Sequence, residues 1–415
     1  MGRKLLIHSI AFSPDGVSTA YLYNDIALRF KEEGYDVVVL TTTPQYNVVD
    51  SELEKQPMKR KCCGLYKESD FHGITVKHVP QRKFKSSLLR MIGFVYWHIL
   101  SFFIGLFEKK VDVILSPSPP LTIGLINIWL GKIKKAKVIY NVQEIYPDLL
   151  IKEKSLSSSG LIKILKKLES YVYNQSDAVT TIDQVFADTI VDRFKDKTKL
   201  LIIPNFVDTD LYKPLSEHEI NIDRNLFPES DSLKLLYAGN VGKAQDWLPL
   251  IELAKKLKNS NIDFFVIGEG VMKDFLEEEV RKNKLDRIHI HPYQARYLMP
   301  ALITYSDMQF VFMSPQVDSD GFPSKVYTIM ACERPLLICS SPNTPIINFL
   351  NGKECAYLIT EKKMDKKIDL MKDFLLATNK KELKKMGENG LKEIEEHYSK
   401  SIVTKKYIDL VNSLF

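Results

Sequence analysis

The chain passes twice through the same alternation of short apolar strand, turn-rich loop and helix, and this repetition limits its possible folds more than any other feature. In the first series, Leu5-Leu6-Ile7 and Val37-Val38-Val39-Leu40 flank a helix expected from about Ala20 to Lys31. Strand, helix and strand in that order make a βαβ unit, whose strands run parallel because the helix carries the chain back. Ile74–Val79, Val111–Leu115, Lys137–Tyr140, Ala178–Thr181 and Leu200–Ile203 extend the series. A second series opens at Leu233-Lys234-Leu235-Leu236-Tyr237 and continues through Phe264–Ile267, Ile288–His291, Met308–Phe312 and Leu336–Cys339. Between the two, residues 205–231 contain Pro214 and Pro228 without a sustained apolar period, and read as a linker. At 415 residues the chain exceeds one average core, so two domains of roughly 200 residues each are expected.

The expected fold is therefore α/β, with two Rossmann-like domains whose parallel sheets face each other across a cleft. The first domain spans 1–204, the linker 205–231, the second domain 232–395, and an amphipathic helix closes the chain over 396–415. Apolar content of 45% and charged content of 27% describe a soluble globular protein. The apolar start, Leu5-Leu6-Ile7, is too short for a signal peptide, and the five cysteines form no CxxC pair or disulfide framework. A cytoplasmic protein without structural metal is expected. The net charge of +6 is modest, and no nucleic-acid partner is expected from it. Basic residues nevertheless cluster at Lys59-Arg60-Lys61 and at Arg82, Lys83, Lys85 and Arg90, either as a solvated face or against an anionic membrane. From Met91 to Phe107 the only strongly polar residue is His98; seventeen residues fall short of the roughly 20 needed to span a bilayer, so a buried or interfacial helix is expected. Residues 47–72 are polar, with little periodicity, and read as a mobile insertion.

Ligands of parallel sheets gather at the carboxyl ends of the strands. There the first series presents the loop 12–19, containing Gly16, and the segment Asn141-Val142-Gln143-Glu144-Ile145-Tyr146-Pro147-Asp148, which puts Glu144 and Asp148 at the cleft rim. In the second series Gly239-Asn240-Val241-Gly242-Lys243 follows a strand and is read as opening a helix, so that its amides and Lys243 can meet a phosphate. Gly268-Glu269-Gly270 is a lone GxG, more simply a tight turn than a cofactor contact. The third element is Asp320-Gly321-Phe322-Pro323-Ser324-Lys325-Val326-Tyr327-Thr328, a loop entering a short helix that Pro335 prevents from continuing. Helix-start amides with Lys325 beside them favour an anion. Two such starts in one half suit a diphosphate.

In order and spacing these segments resemble the retaining glycosyltransferases of glycosyltransferase family 4, which have the GT-B fold. The resemblance rests on Ile203-Pro204-Asn205-Phe206-Val207-Asp208, on Tyr237 to Gln245, and on Phe322-Pro323-Ser324-Lys325 through Ala331 and Arg334-Pro335. Glu144-Ile145-Tyr146-Pro147-Asp148 is further similar to a subgroup building bacterial surface polysaccharides, including N-acetylfucosamine transferases. The resemblance implies a nucleotide-sugar donor, UDP-linked in expectation, a lipid-linked or saccharide acceptor, no cofactor or metal, and peripheral contact with the inner membrane face. It also implies that the last helix returns to the first domain. Donor contacts would come from Gly16, Gly239, Asn240, Gly242, Lys243, Gly268, Gly270, Gly321, Phe322, Pro323, Ser324, Lys325 and Thr328. Catalytic roles would fall to Lys325, Asp320 and Glu144: Lys325 stabilises the departing diphosphate, Asp320 lies near the donor sugar, and Glu144 orients or deprotonates the acceptor hydroxyl.

The sequence departs from the family's pattern of glutamate, seven residues, glutamate. Asp320 and Thr328 occupy those positions, and Glu333 replaces a usual glycine. A threonine hydroxyl makes one weaker hydrogen bond where a carboxylate would hold the ribose hydroxyls. Two alternatives stay open on the sequence: a sugar-nucleotide epimerase of the same architecture, and a non-catalytic relative that only binds a sugar nucleotide or a partner transferase.

Overall fold

The computed structural model describes residues 2–48, 50–81, 87–152, 155–316 and 322–415, which divide into two compact units. Unit one comprises Met1–Asn205 and Ser401–Phe415, and unit two comprises Phe206–Lys400.

The strands of unit one are Lys4–His8 (β1), Asp36–Thr42 (β2), Lys59–Lys61 (β3), Tyr66–Phe71 (β4), Ile74–Val79 (β5), Val113–Pro117 (β6), Lys137–Val142 (β7), Ala178–Thr181 (β8) and Leu200–Ile202 (β9). They form one sheet in the order β3-β4-β5-β2-β1-β6-β7-β8-β9. From β5 to β9 every pairing is parallel. Such strands are covered on both faces, which is why Val37 to Leu40 form an unbroken buried run rather than an alternation. The strand order reverses at β1, whose neighbours are β2 and β6, so the loops leaving β1 and β6 border the switch point where doubly wound sheets take ligands.

The segment 47–72, expected to be a mobile insertion, is instead partly folded. It carries the helix Asp50–Lys55 and the strands β3 and β4, which extend the sheet with β4 antiparallel to β5 and β3 antiparallel to β4. Exposed charges such as Lys67 hide the periodicity of β4, and the edge strand β3 is wholly charged and exposed, Lys59-Arg60-Lys61, as an edge needs to be to avoid pairing with other chains.

The apolar helix Ser87–Phe107 is neither fully buried nor fully exposed. Trp97, Ser101 and Ile104 face the core while Val95, Ile99 and Phe103 face outward. Among the described residues no helix is long and apolar enough to cross a membrane. Of the basic residues expected to flank it, Arg82, Lys83 and Lys85 lie outside the described residues. The last helix, Lys400–Ser413, packs in unit one, where the Asn412 side chain accepts hydrogen bonds from Arg3 at 3.2 Å and the Tyr35 hydroxyl at 2.8 Å.

Unit two holds Leu233–Ala238 (β10), Ile262–Ile267 (β11), Ile288–His291 (β12), Met308–Phe312 (β13), Leu336–Cys339 (β14) and Ala356–Ile359 (β15). Its sheet is wholly parallel, in the order β12-β11-β10-β13-β14-β15, and it reverses between β10 and β13. The segment expected to be a linker belongs to this unit from Phe206 onward. Ile222 and Phe227 are buried against Leu236 and Phe265, an attachment made by isolated apolar residues with no regular spacing to reveal it.

Candidate active site

At the switch point of unit two the loop after β10 meets the helix Lys325–Ala331. The Lys325 side chain extends over the ring of Tyr237, with Nζ 3.7 Å from the ring centroid. Gly239, two residues beyond Tyr237, lies so close that a Cβ there would sit 2.6 Å from Nζ. Lys325 is half-buried as a residue, yet its ammonium is enclosed by protein, and burial pushes its pKa down to about 7. Among the described residues no carboxylate pairs with it. The face of Tyr237 supplies the main attraction, worth about 2 kcal/mol for a desolvated cation–π contact, far less than full hydration of the charge.

The glycines around this lysine serve the backbone. Gly239 N–H donates to the Ile267 carbonyl at 2.9 Å and Val241 N–H to the Glu269 carbonyl at 2.8 Å, so the turn after β11 continues the ladder onto the loop after β10. A Cβ on Gly268 would fall 1.8 Å from the Gly239 carbonyl oxygen, and one on Gly270 would fall 2.3 Å from that of Val241. Both glycines have φ above +150°, so packing of two loops accounts for this GxG.

Lys243 does not open a helix, contrary to expectation. Residues 244–246 turn back toward β13, with Gln245 bridging Met313 and Asp246 N–H donating to the Phe312 carbonyl at 2.9 Å, and the next helix begins only at Leu248. Asn240 and Lys243 are exposed beside the loop, and Gly242 is buried under it.

Asp320 and Gly321 lie outside the described residues. The Phe322 ring packs on Tyr327 and Phe349 at 5.1 and 4.8 Å, which fixes the residue three positions before the helix. Pro323 begins the first turn, with Val326 N–H donating to its carbonyl at 3.0 Å, and Ser324 is exposed at the N-cap. The Thr328 hydroxyl donates to the Lys325 carbonyl at 2.8 Å, so the helix backbone already occupies its proton. The helix ends at Ala331 rather than at Pro335, because Glu333 takes φ +57°, the left-handed conformation that usually belongs to glycine at a helix C-terminus.

In unit one Glu144 is half-buried on a braced loop after β7. The Ser118 hydroxyl accepts from the N–H groups of Gln143 and Glu144 at 3.0 and 3.2 Å and donates to the Glu144 carbonyl at 2.9 Å. Gln143 exchanges hydrogen bonds of 2.9 Å with Asn205. Gly16 is required by close approach, since a Cβ there would lie 2.5 Å from the Asn47 carbonyl. The buried Asp15 carboxylate accepts from the N–H groups of Gln45 and Tyr46, both at 2.8 Å, and ties the same two loops together. Asp148, expected at the rim with Glu144, is ion-paired to Lys166 and Arg193. Sequence reasoning missed Tyr237, Ser118 and Gln143. Tyr237 left one signal, an aromatic residue near the end of a mainly aliphatic strand, two positions before a glycine.

Residues 20–211 match Glycosyltransferase Family 4, and residues 219–393 match Glycosyl transferases group 1. The chain is built of these two glycosyltransferase domains. It is 23% identical over 338 residues to a protein of Escherichia coli described as "Putative colanic acid biosynthesis glycosyl transferase WcaI", covering 79% of this chain and 81% of that one. Its fold is GT-B. HepE of Anabaena, solved in complex with UDP, matches with a TM-score of 0.72 and 13% identity over 99% of this chain and 100% of that one. Sucrose-phosphate synthase of Thermosynechococcus elongatus matches with a TM-score of 0.74 and 12% identity over 100% of this chain and 99% of that one. This glycosyltransferase therefore has Lys325, Tyr237 and Gly239 inside its group 1 domain and Glu144 inside its family 4 domain.

Proposed function

We propose that this glycosyltransferase moves a sugar from a UDP-linked donor to a lipid-linked or saccharide acceptor, with retention of configuration, on the cytoplasmic side of a bacterial membrane during surface-polysaccharide synthesis. The observation that carries the donor reading is the enclosed ammonium of Lys325, held on Tyr237 beside Gly239 at the switch point of the second sheet. An incoming diphosphate supplies the charge this ammonium lacks. Lys243, exposed on the neighbouring loop, adds a second cation. UDP in the HepE complex and the colanic acid pathway in the name of the Escherichia coli relative support donor and product class.

In the reaction the bond from the sugar's anomeric carbon to the diphosphate breaks, and one to the acceptor oxygen forms on the same face. The acceptor's proton leaves with the diphosphate, directly or through Glu144, and no enzymic nucleophile is needed. Charge grows on the leaving diphosphate, and Lys325 stabilises it there more than in the ground state.

A thermal-shift screen of nucleoside diphosphates and their sugars tests the donor half, because a ligand of the folded state raises the melting temperature. UDP is expected to give the largest shift, and transfer from a UDP-sugar to follow only with acceptor present. Isomerisation of the donor without acceptor would identify an epimerase instead, and binding without either reaction a non-catalytic relative. Membrane contact is supported by the apolar outer face of the 87–107 helix, next to Lys109 and Lys110. Flotation with anionic vesicles at low salt checks it, and protein left in the bottom fraction removes it.

A further inference from the structure

Unit one contains a second feature at its own switch point, a hollow of about 360 Å³ that sugar transfer itself does not need. Its walls are Ile10 after β1, Pro119 and Leu121 after β6, and Pro147 and Leu150 after β7, with Phe94 of the 87–107 helix on the outside. Among the described residues, no ionisable side chain other than the Tyr146 phenol lines it. A nucleotide or sugar entering would exchange hydrogen bonds with water for hydrocarbon, whereas an apolar chain gains at every carbon.

What surrounds the hollow identifies its occupant. The helices Ser87–Phe107, Leu121–Lys134 and Ser159–Gln175 lie side by side, and each contributes a wall residue: Phe94, Leu121 and Leu165. Their outer faces expose Val95, Ile99, Phe103, Trp129, Ile133 and Ile164. Among the described side chains the exposed charges are lysines, Lys132, Lys163 and Lys167, followed by Lys109 and Lys110 at one helix end. Glu169, the one carboxylate in the three helices, is buried and paired with Arg193. A hydrocarbon hollow within a cationic, apolar surface complements a long apolar chain that ends in phosphate. Pro147 stands three residues from Glu144 on the same loop, so a chain seated against it brings its headgroup toward the proposed acceptor carboxylate.

We propose that this hollow receives the hydrocarbon tail of a lipid-phosphate-linked sugar acceptor. The assignment rests on the sugar-transfer reading and adds the acceptor's chemical class to it: the substrate is selected by its tail as well as by its sugar. Each buried CH₂ is worth roughly fourfold in affinity, so the tail contributes through length.

The test uses the whole protein and a diazirine-bearing farnesyl phosphate. Photolabelling is expected at Phe94, Leu150 or Leu165, competed by unlabelled farnesyl phosphate and poorly by dimethylallyl phosphate, which shares the headgroup but not the length. Leu165→Trp, which fills the hollow, should weaken farnesyl phosphate binding about tenfold. The UDP-induced thermal shift of that variant reports whether it remains folded, and labelling of the parent protein decides the matter if it does not.

Equal competition by the short phosphate would overturn the proposal, as would labelling confined to Val95, Ile99 and Phe103. Labelling of the hollow by a photoreactive phospholipid in vesicles, without competition from farnesyl phosphate, would assign it to bulk membrane lipid and also overturn it. UDP binding with no labelling of the hollow removes the tail site and leaves sugar transfer standing. Labelling without UDP binding removes the transfer reading on which the acceptor assignment rests.

Discussion

Arg193 and Lys325 are both cations withdrawn from water, one in each unit, and the protein treats them in opposite ways. Arg193 lies between two carboxylates, Asp148 and the almost wholly buried Glu169, with Lys166 bridging the same pair. Burial pushes the Asp148 carboxyl up, but hydrogen bonds from Lys166 and Arg193 outweigh it and hold the group below its usual range. Glu169 ends above its usual value because burial prevails. Lys325 has an aromatic face and, among the described residues, no counter-charge, so burial prevails there too and its proton is held weakly. A compensated buried cation serves the fold, as expected of a complete ion-pair network. One left without its anion costs stability, and that cost is understandable where a ligand supplies the missing charge.

Removing each cation gives opposite results, and the larger effect is expected at Arg193. Arg193→Ala leaves Glu169 buried without its main partner and should destabilise unit one by about 3–5 kcal/mol, read as a fall in the denaturant midpoint. UDP binding to the fraction that folds should persist. Lys325→Met reverses the pattern. It should lower turnover by ~10²-fold or more and abolish the UDP-induced thermal shift, without destabilising the free protein near neutral pH.

The same variant should change the pH profile of stability. In the unfolded chain Lys325 keeps its proton to about pH 10.5, while the folded protein releases it near pH 7. Between those values the unfolded state binds more protons, so stability from this group rises with pH, and Lys325→Met should remove that rise in denaturation series from pH 7 to 10. A smaller effect lies where the helix of Lys325 ends. Glu333 is held at φ +57°, and Glu333→Gly should relieve about 1 kcal/mol of backbone strain, raising the melting temperature slightly and leaving turnover intact.

Most parallel strands of both sheets could be read from the sequence because they are short, mainly apolar segments separated by helices, a pattern that needs no tertiary information, but β15, half-buried at the sheet's end, was missed. The antiparallel strands β3 and β4 at the sheet's margin follow another rule, with charges placed outward, and any alternation disappears into general polarity. The site divides in the same way. Lys325 was legible because a lysine at a helix start after a glycine-proline loop has a local meaning. Its seat on Tyr237 was not, since 88 positions separate the two residues and only the parallel pairing of β10 with β13 brings their loops together. Nor could sequence show that Gly268 and Gly270 are required by the backbone carbonyls beside them. The ion pairs of Asp148 were equally hidden, because its partners stand 18 and 45 residues away in the chain.

The claim that Lys325 is a cation awaiting its anion is tested most directly by proton uptake on UDP binding. Titration calorimetry at pH 8.5, in buffers of different ionisation enthalpy, measures it where the phosphates of UDP are already ionised. With a free-state pKa of about 7, the account predicts that binding takes up close to one proton and that the uptake disappears in Lys325→Met. UDP binding with no proton uptake, or with the same uptake in the variant, would contradict it.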